Sequence, residues 1–231
     1  MKILPLIINN LNFKIDDNTI LKNINLNSNE KNITIIAGNN GSGKSTLLKI
    51  LHGLIETPIN TIQWGGFPIS EIKQSQSMVF QSPILLNRTT YENLLYVIKN
   101  KKIKDKYYID KIIEKLNLKS IEKVNTKYIS GGERQKVAIA MSIIGEPRII
   151  FLDEPTSQLD PSYKNEIESI INDLSENETK IFMTSHDISQ IKRIGKEIIF
   201  LDKGEVIYKN TVEKFFKDKQ NELIKNYIHY G

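Results

Sequence analysis

The feature that most constrains this chain is a glycine-rich phosphate loop placed between a predicted strand and a predicted helix. Residues 38–45 read Gly-Asn-Asn-Gly-Ser-Gly-Lys-Ser, which fits the pattern G-x-x-x-x-G-K-[ST]. An apolar run at 33–37 precedes the loop, and an amphipathic stretch begins at residue 46. A strand that passes through such a loop into a helix favours an α/β fold that binds a nucleotide.

The phosphate loop also predicts how a polyphosphate is held. Its glycines let phosphate oxygens approach backbone N–H groups, and the following helix presents the positive end of its dipole. Lys44 supplies a charge to the β- and γ-phosphates, Ser45 offers a hydroxyl to Mg²⁺, and Thr46 offers a second hydroxyl near the α-phosphate. The predicted nucleotide-binding residues of the loop are Gly38, Asn39, Asn40, Gly41, Ser42, Gly43, Lys44, Ser45 and Thr46.

Length and composition narrow the remaining possibilities. A chain of 231 residues suits one α/β domain with an insertion. The 32 basic and 27 acidic residues give a net charge of +5, but no basic stripe carries aromatics at base-stacking spacing, so nucleic acid is not an expected partner. The lack of cysteine excludes disulfides and thiolate metal sites. No apolar run reaches the ~20 residues of a membrane span, and we expect the chain itself to be soluble.

Hydrophobic periodicity predicts a core with one insertion. Apolar residues at 88–145 recur at helical spacing without a clear strand, so this segment is predicted to be a helical subdomain inserted between core segments 1–87 and 146–231. The core is expected to begin with an antiparallel β layer and to end with alternating strands and helices. The predicted strands are 3–8, 11–15, 20–26, 148–152, 180–184, 197–201 and 205–208, and the predicted helices include 47–55, about 162–175 and 187–195.

Two strand ends are expected to deliver catalytic groups. Asp153 and Glu154 follow the apolar strand at 148–152, the form of a buried parallel strand whose end enters a nucleotide site. Asp153 is placed to hold Mg²⁺ through water, and Glu154 to orient and deprotonate the attacking water, because successive strand residues point to opposite sides. The alternative is a core strand with a polar end.

A histidine stands at the second strand end. His186 follows the strand at 180–184, where an imidazole can bond the γ-phosphate and the attacking water. The alternative is a helix start capped by Ser185 or Asp187, with the histidine merely exposed. Farther along, Asn210 is expected to cap the last helix, with Glu213 at its third position.

Six motifs in order make the chain resemble the ATP-binding subunit of ABC transporters over nearly its whole length. This resemblance implies a P-loop NTPase (RecA-like) core with an N-terminal antiparallel β layer and an inserted helical subdomain, of the ABC ATPase type. It also implies hydrolysis of ATP with Mg²⁺. The motifs are the phosphate loop, Gln81, Ile129-Ser130-Gly131-Gly132-Glu133-Arg134-Gln135, Asp153-Glu154, Ser157-Gln158-Leu159-Asp160 and His186.

The resemblance assigns roles within a head-to-tail pair of two copies. Ser130, Gly131, Gly132 and Glu133 of one copy are expected to close on the γ-phosphate held by the other, so that ATP joins the copies and hydrolysis releases them. Asp160 is expected to communicate across that interface. The implied catalytic residues are Lys44, Gln81, Glu154 and His186, and the implied metal-binding residues are Ser45, Gln81 and Asp153.

The resemblance further implies an importer subunit at the cytoplasmic face of the cell membrane. The surface at 82–92 should receive a short helix from transmembrane permease subunits, which work with an extracytoplasmic solute-binding protein. Segments 79–89 and 184–193 look like those of importers for tungstate and related oxyanions, which makes tungstate the expected solute. The alternatives are a soluble ABC ATPase that acts on nucleic acid, ribosomes or iron–sulfur assembly, and a regulator that binds ATP without turnover.

Two residues depart from the pattern of the family. Ile15 stands where relatives usually place an aromatic residue under adenine, so apolar contact replaces stacking and weaker ATP affinity is expected. Phe13, two residues earlier, is the alternative aromatic residue for this contact, but we expect it to lie in the core. Met141 stands where relatives commonly carry arginine.

Overall fold

The fold combines a small antiparallel sheet with a larger, mainly parallel one. The computed structural model describes residues 3–29, 31–58, 61–104, 107–218 and 220–230. The small sheet has the order β2-β1-β4-β5, and its strands are β1 (Leu6–Ile15), β2 (Asn18–Ser28), β4 (Ile62–Trp64) and β5 (Phe67–Pro68). This sheet is the antiparallel layer that the sequence predicts.

Strand β1 differs from its prediction. The segments 3–8 and 11–15 were expected to be separate strands, but both fall in one strand with irregular pairing to β2 between Ile8 and Leu11. Asn10 adopts a positive φ of 47°, which asparagine tolerates, and its N–H donates to Oδ1 of Asn25 at 2.9 Å. The asparagines therefore form a bulge where a turn was predicted.

The larger sheet brings the predicted site segments to one edge. Its order is β10-β9-β3-β8-β7-β6, and every neighbouring pair is parallel except β10 with β9. Because the carboxyl ends of neighbouring parallel strands meet at one edge, the segments that follow β3, β7 and β8 become neighbours. The strands are β3 (Ile33–Ala37), β6 (Gln76–Val79), β7 (Ile149–Asp153), β8 (Lys180–Thr184), β9 (Glu197–Asp202) and β10 (Glu205–Thr211).

Helices connect these strands and fill the predicted insertion. The described part of 88–145 holds α3, α4, α5 and a short 3₁₀ turn, while its treatment as a separate subdomain stays a prediction. No helix of the described residues is long and apolar enough to cross a membrane. The helices are α1 (Lys44–His52), α2 (Ile69–Ile72), α3 (Thr90–Asn100), α4 (Tyr108–Lys115), α5 (Gly131–Ile143), α6 (Pro161–Glu176), α7 (Ile188–Ile194), α8 (Val212–Lys217) and α9 (Glu222–Tyr230).

The predicted cap of the last helix was wrong. Strand β10 continues to Thr211, which pairs with Glu197, so α8 begins one residue later than expected. The hydroxyl of Thr211 accepts the N–H of Lys214 at 3.3 Å, and the side chain of Asn210 instead accepts the N–H of Thr211. Helix α9 then follows, and α8 is not the last helix of the chain.

Apolar clusters lie against both faces of the larger sheet. Ile35 of β3 belongs to the cluster that also contains residues of α3 to α6, whereas Ile36 belongs to the cluster under the antiparallel layer. In the second cluster the Trp64 ring lies 5.6 Å from that of Phe182, which joins the two sheets. Phe13 packs against this cluster while remaining partly exposed, so it is only partly the core residue that was predicted.

Candidate nucleotide site

The phosphate loop closes around the side chain of its own lysine. Nζ of Lys44 donates to the carbonyl oxygens of Gly38 at 2.9 Å and Asn39 at 3.1 Å. Burial lowers the pKa of Lys44 below its usual value, and the charges of Glu154 and Asp153 partly oppose that shift. The lysine is thus held under the loop and faces the two carboxylates that the sequence assigned to the same site.

Glycines 41 and 43 serve the loop for different reasons. Gly41 has a φ of +77° and Gly43 a φ of +102°, conformations that other residues rarely adopt. A Cβ on Gly43 would lie 2.8 Å from Cδ2 of Leu21, whereas one on Gly41 would meet nothing within 4 Å. Gly41 is therefore required by its backbone conformation alone, whereas at Gly43 the backbone conformation requires glycine and an added Cβ would also displace the end of the Leu21 side chain.

The loop has the chemistry to bind a polyphosphate. Gly43 is the N-cap of α1 and supplies no side chain to its first turn, so no side-chain cap competes with a ligand there. The hydroxyl of Ser42 is buried and has no hydrogen-bond partner among the described residues. An anion with several oxygens would satisfy such donors, and the residues present fit the phosphates of a nucleotide.

Asp153 accepts hydrogen bonds from two hydroxyl groups at the edge of the sheet. Ser45 Oγ donates to Oδ1 of Asp153 at 2.8 Å, and Oγ1 of Thr184 donates to the same oxygen at 2.7 Å. Hydroxyl and carboxylate oxygens are ligands that Mg²⁺ prefers. The structure therefore brings the predicted pair together, and its donor set fits Mg²⁺.

Glu154 is held in an unusual backbone conformation. Its φ of +43° lies in the left-handed region, which costs a residue other than glycine about 1–2 kcal/mol. The N–H of Glu154 donates to Oγ1 of Thr184 at 2.8 Å, which fixes the residue against the neighbouring strand. Strain of this kind is often found where a side chain is aimed at a reaction.

The side chain of Glu154 meets two other predicted site residues. Nδ1 of His186 lies 3.2 Å from its Oε1, and Nε2 of Gln81 donates to its Oε2 at 3.2 Å. Gln81 was predicted to reach the metal, but here its amide contacts Glu154 and the hydroxyl of Ser157. The carboxylate therefore has both oxygens oriented by neighbouring side chains.

The segment that carries His186 is a capped helix start, as the alternative interpretation expected, and the contact of its imidazole with the γ-phosphate stays a prediction. Asp187 caps α7, since its Oδ1 accepts the N–H of Gln190 at 3.0 Å. The imidazole of His186 is about half exposed and lies against Glu154. A cavity of about 280 Å³ is bordered by Glu154, Ser157, His186 and Asp187. A larger cavity of about 1040 Å³ lies elsewhere and is lined by none of the predicted site residues.

The segment 130–133 forms a capped helix start away from the phosphate loop. Ser130 and Glu133 make reciprocal bonds, Glu133 N–H to Ser130 Oγ at 3.2 Å and Ser130 N–H to Glu133 Oε2 at 2.8 Å. Asp160 caps α6 without a reciprocal partner, because its Oδ1 accepts the N–H groups of Ser162 and Tyr163. Among the described residues, no hydrogen bond or ion pair joins 130–133 to the phosphate loop, and its predicted contact with a second copy stays a prediction.

Tyr163 joins these two helix starts. Its ring covers the backbone of Gly132, where an added Cβ would lie 2.7 Å from Cδ2 and closer still to Cγ and Cδ1. Its hydroxyl lies 3.4 Å from Oγ of Ser130. Gly132 is thus a close-approach glycine, whereas a Cβ on Gly131 would meet nothing within 4 Å.

The predicted departures lie where the sequence placed them. Ile15 ends β1 with 51% of its side chain exposed, so it is free to contact a base, although that role stays a prediction. Met141 lies on α5 and packs, partly buried, against the cluster that contains Ile35. Nothing in the structure explains why methionine stands there.

Sequence reasoning missed several residues that support the site. Thr184 could have been found, because it ends the strand beside Asp153, its register partner. Tyr227 of α9 gave no such signal, although its hydroxyl donates to the carbonyl of Ser185 at 3.5 Å. Burial raises the pKa of Tyr227 to about 12. The C-terminal helix thus contacts the segment that carries His186.

The geometry defines the class of protein before any comparison. A lysine under a glycine loop, a helix dipole behind it and a hydroxyl–carboxylate pair at the edge of a parallel sheet constitute the site of a P-loop nucleotide triphosphatase. Beside this site, the carboxylate of Glu154 lies 3.2 Å from Nδ1 of His186.

Comparison with known proteins gives the family. The family model described as "ABC transporter" matches residues 21–157, more than half of the chain, and a model described as "AAA domain, putative AbiEii toxin, Type IV TA system" matches 128–191. The chain belongs to the ABC transporter family of ATP-binding proteins. Members of this family bind ATP, typically with Mg²⁺, and membership implies ATP hydrolysis.

Individual relatives support this assignment. The "Phosphate import ATP-binding protein PstB" of Bacillus cereus is 33% identical over 95% of this chain and 88% of its own length, and that of Mycoplasmoides gallisepticum is 31% identical over 90% and 70%. The solved structure of cbiO1 from Clostridium perfringens, part of the ABC transporter complex cbiONQ, has a TM-score of 0.82 at 26% identity and covers 94% of this chain and 92% of its own. A nucleotide-free ATP-binding cassette from an ABC transporter, with a TM-score of 0.81 at 20% identity, covers 96% and 98% and shares the fold.

Proposed function

We propose that this protein is the ATP-hydrolysing subunit of an importer for an inorganic oxyanion. The observation that carries the proposal is the set of contacts around Glu154, whose two carboxylate oxygens meet His186 and Gln81 beside the phosphate loop. A protein that only held ATP would need the loop but not this arrangement. The contacts therefore favour turnover over the regulatory alternative.

The residues divide the work of hydrolysis. The phosphate loop and Lys44 would hold the β- and γ-phosphates. Ser45 and Asp153 would hold Mg²⁺, which when bound would neutralise charge on the transferred phosphate. Glu154 orients the attacking water and accepts its proton on a carboxylate oxygen. Nδ1 of His186 keeps that carboxylate in place, and Gln81 does so from the other oxygen.

Two copies are proposed to share each ATP. Ser130–Glu133 begin a helix that makes no hydrogen bond or ion pair with the phosphate loop among the described residues, so we propose that its N-terminal end serves the ATP held by another copy. Head-to-tail pairing would bring Ser130, Gly131 and Gly132 of one copy to the γ-phosphate on the other. Asp160, which caps the neighbouring helix, would lie at the same interface.

The cargo we propose is phosphate. The curated relatives reported above are named as phosphate import subunits, and they do not support the tungstate expected from sequence segments. Phosphate and tungstate are both tetrahedral oxyanions, so the proposed solute belongs to the expected class although it is a different ion. The chain does not itself bind the solute, which a solute-binding protein would deliver from outside the membrane.

The membrane partner is proposed to dock beside Gln81. Ile84 is 72% exposed and Tyr91 is 37% exposed, so the surface at 82–92 presents apolar side chains that a short helix of a permease would cover. This contact would place the chain at the cytoplasmic face of the membrane as a peripheral subunit. The soluble alternative is not supported by any of the relatives reported above.

A glutamine variant tests the ATPase. Glu154→Gln keeps the shape of the side chain but removes its ability to accept a proton, so hydrolysis should fall about 10²–10⁴-fold while ATP binding remains. Light scattering during size-exclusion chromatography should then show an ATP-dependent dimer. Glu205→Gln, at an exposed carboxylate on β10, should leave hydrolysis unchanged. A Glu154→Gln variant that stays monomeric with ATP would contradict the head-to-tail pair.

Purification from membranes tests the transporter. A tagged chain should retain a multi-span permease in detergent, and the reconstituted complex with its binding protein should hydrolyse ATP faster with phosphate than with tungstate. Stimulation by tungstate alone would restore the first prediction of the cargo. Recovery of only ribosomal or iron–sulfur assembly proteins would support the soluble alternative.

A further inference from the structure

A buried amide connects the segments that carry His186 and Glu154. Gln190, on α7, is 1% exposed. Its Oε1 accepts the hydroxyl of Ser185 at 2.8 Å, and its Nε2 donates to Oγ1 of Thr156 at 2.7 Å. Ser185 directly precedes His186 and Thr156 lies two residues after Glu154, so one side chain bonds to both segments.

The second N–H of the amide is anchored to α6. Nε2 of Gln190 also donates to Oε1 of Glu168 at 3.0 Å, and Arg193 holds that carboxylate with two bonds, from Nε at 2.8 Å and from its terminal nitrogen at 2.7 Å. Glu168 is buried, and the bond to it raises the pKa of Arg193. The amide therefore has a fixed orientation, because a flip would place its oxygen against the carboxylate.

These contacts close a ring around the reacting groups. The ring runs from Glu154 along the chain to Thr156, through Gln190 to Ser185, along the chain to His186, and back through the 3.2 Å contact between imidazole and carboxylate. Ser185 Oγ also accepts the N–H of Asp187, which holds the next turn. Gln190 thus adds a buried side-chain link beyond the strand ends, where the hydroxyl of Thr184 already accepts the N–H of Glu154.

We propose that Gln190 is a positioning residue that sets the distance between Nδ1 of His186 and the carboxylate of Glu154. The proposal rests on the proposed roles of Glu154 and His186 in hydrolysis. Gln190 itself lies beneath the site and acts through the two segments. A buried, fully bonded network of this kind holds one arrangement, because any other leaves hydroxyls or the carboxylate unpaired.

Removal of the amide should lower turnover and leave nucleotide binding intact. Gln190→Leu keeps a similar volume but releases Ser185 and Thr156, and displacements of about 1 Å near reacting groups cost up to about 10²-fold in rate. We expect kcat to fall about 10- to 100-fold, with KM and the affinity for a fluorescent ATP analogue changed less than about threefold. The NMR signal of the His186 imidazole should shift, while those of His52 and His229 should not.

An exchange of side chains separates positioning from general stability. Gln190→Glu alone places a second carboxylate about 3 Å from Glu168 and should also lower kcat. The double variant Gln190→Glu/Glu168→Gln restores an amide–carboxylate bond with the groups reversed, and at least half of the lost kcat should return. This pair keeps the proposal testable if Gln190→Leu does not fold.

A matched control breaks a buried bond elsewhere. Ser28→Ala removes a 2.6 Å bond to the buried carboxylate of Glu197. Glu197 is the first residue of β9, so it lies at the amino end of the parallel strands, opposite the end that carries the site. It should lower stability without changing kcat. Gln190 variants that lose only stability, or an exchange that restores no activity, would overturn the proposal.

Variants of Glu154 and His186 distinguish a failure of the proposed function from a failure of the proposed role of Gln190. Glu154→Gln and His186→Ala should both abolish most of the hydrolysis. Retention of hydrolysis in these two variants would refute the proposed function itself. Loss of hydrolysis in them, with a normal kcat in Gln190→Leu, would refute only the role of Gln190.

Discussion

The contact between Tyr163 and Gly132 makes a prediction that stability measurements can test in full. Alanine at position 132 would place its Cβ 2.7 Å from Cδ2 of Tyr163 and closer to two other ring atoms, well inside normal contact distance. These atoms are at the base of the ring, so the whole ring must turn away from α5. Gly132→Ala should therefore destabilise the protein.

The size of the effect follows from two opposing terms. Forcing extra volume into a packed contact costs about 1–3 kcal/mol, while replacing glycine by alanine in a helix returns about 0.5–1 kcal/mol. The centres of the two ranges, about 2 and about 0.75 kcal/mol, leave a net loss of about 1.25 kcal/mol. For a domain of this size each kcal/mol changes Tm by about 2–4 °C, so Tm should fall by about 2.5–5 °C.

The adjacent glycine supplies a matched control. A Cβ on Gly131 meets nothing within 4 Å, so Gly131→Ala in the same first turn should stabilise the protein by about 0.5–1 kcal/mol. The helix terms of the two alanine variants are similar, and only the ring contact differs. Urea denaturation of both variants, without nucleotide, therefore isolates the steric term.

A double-mutant cycle completes the test. In a Tyr163→Ala background the ring is gone, and Gly132→Ala should then stabilise by about 0.5–1 kcal/mol, which gives a coupling energy of about 2 kcal/mol. An equal loss with and without the ring would refute the reasoning. ATPase activity is not a suitable readout here, because Gly132 is also expected to meet the γ-phosphate on the second copy.

Two further predictions concern Tyr227 and Ile15. Burial raises the pKa of Tyr227 to about 12 from a usual value near 10, so the unfolded chain loses this proton first and stability falls as pH rises from about 10 to 12. Between about pH 9 and pH 11.5 the free energy of unfolding should fall by about 2 kcal/mol through this residue, and urea denaturation should show that Tyr227→Phe lacks that fall. An equal fall in both proteins would contradict the raised pKa of Tyr227. Ile15→Tyr should raise ATP affinity about 5- to 150-fold in a fluorescence titration, because stacking on a base contributes about 1–3 kcal/mol. Ile15→Val should leave the affinity unchanged, and no gain with tyrosine would show that adenine binds elsewhere.

The sequence could predict which segments of the candidate site lie together, because neighbouring parallel strands bring their carboxyl ends to one edge of the sheet. Ser45 and Asp153 lie 108 residues apart in the chain, yet the motifs sufficed to pair them, and the structure joins them at 2.8 Å. The break predicted within β1 failed because Asn10 can adopt a positive φ inside a strand. The same asparagine-rich sequence can form a turn or a bulge, and the pairing of β1 with β2 decides which of the two forms.

Contacts between helices could not be predicted from the same patterns. Tyr163 on Gly132 and Gln190 on Glu168 depend on how α6 packs against α5 and α7, which periodicity alone does not specify. Gln190 would be read from sequence as an ordinary polar helix residue. Its burial and its three bonds become visible only when both neighbouring segments are in place.

The helix starts at the site also suggest an order of events. Four helices follow predicted functional segments, and at three of them a side chain from Ser130, Asp160 or Asp187 already bonds first-turn N–H groups. Only α1, behind Gly43, has no such side-chain cap, so its N–H groups are the most available to phosphate. At α5 the hydroxyl of Ser130 already accepts the N–H of Glu133, so this helix start should attract an anion less strongly than that of α1 does. We therefore expect ATP to bind the phosphate loop first and the second copy to close on it afterwards, so that a Ser130→Ala variant would bind ATP normally as a monomer but form the dimer poorly.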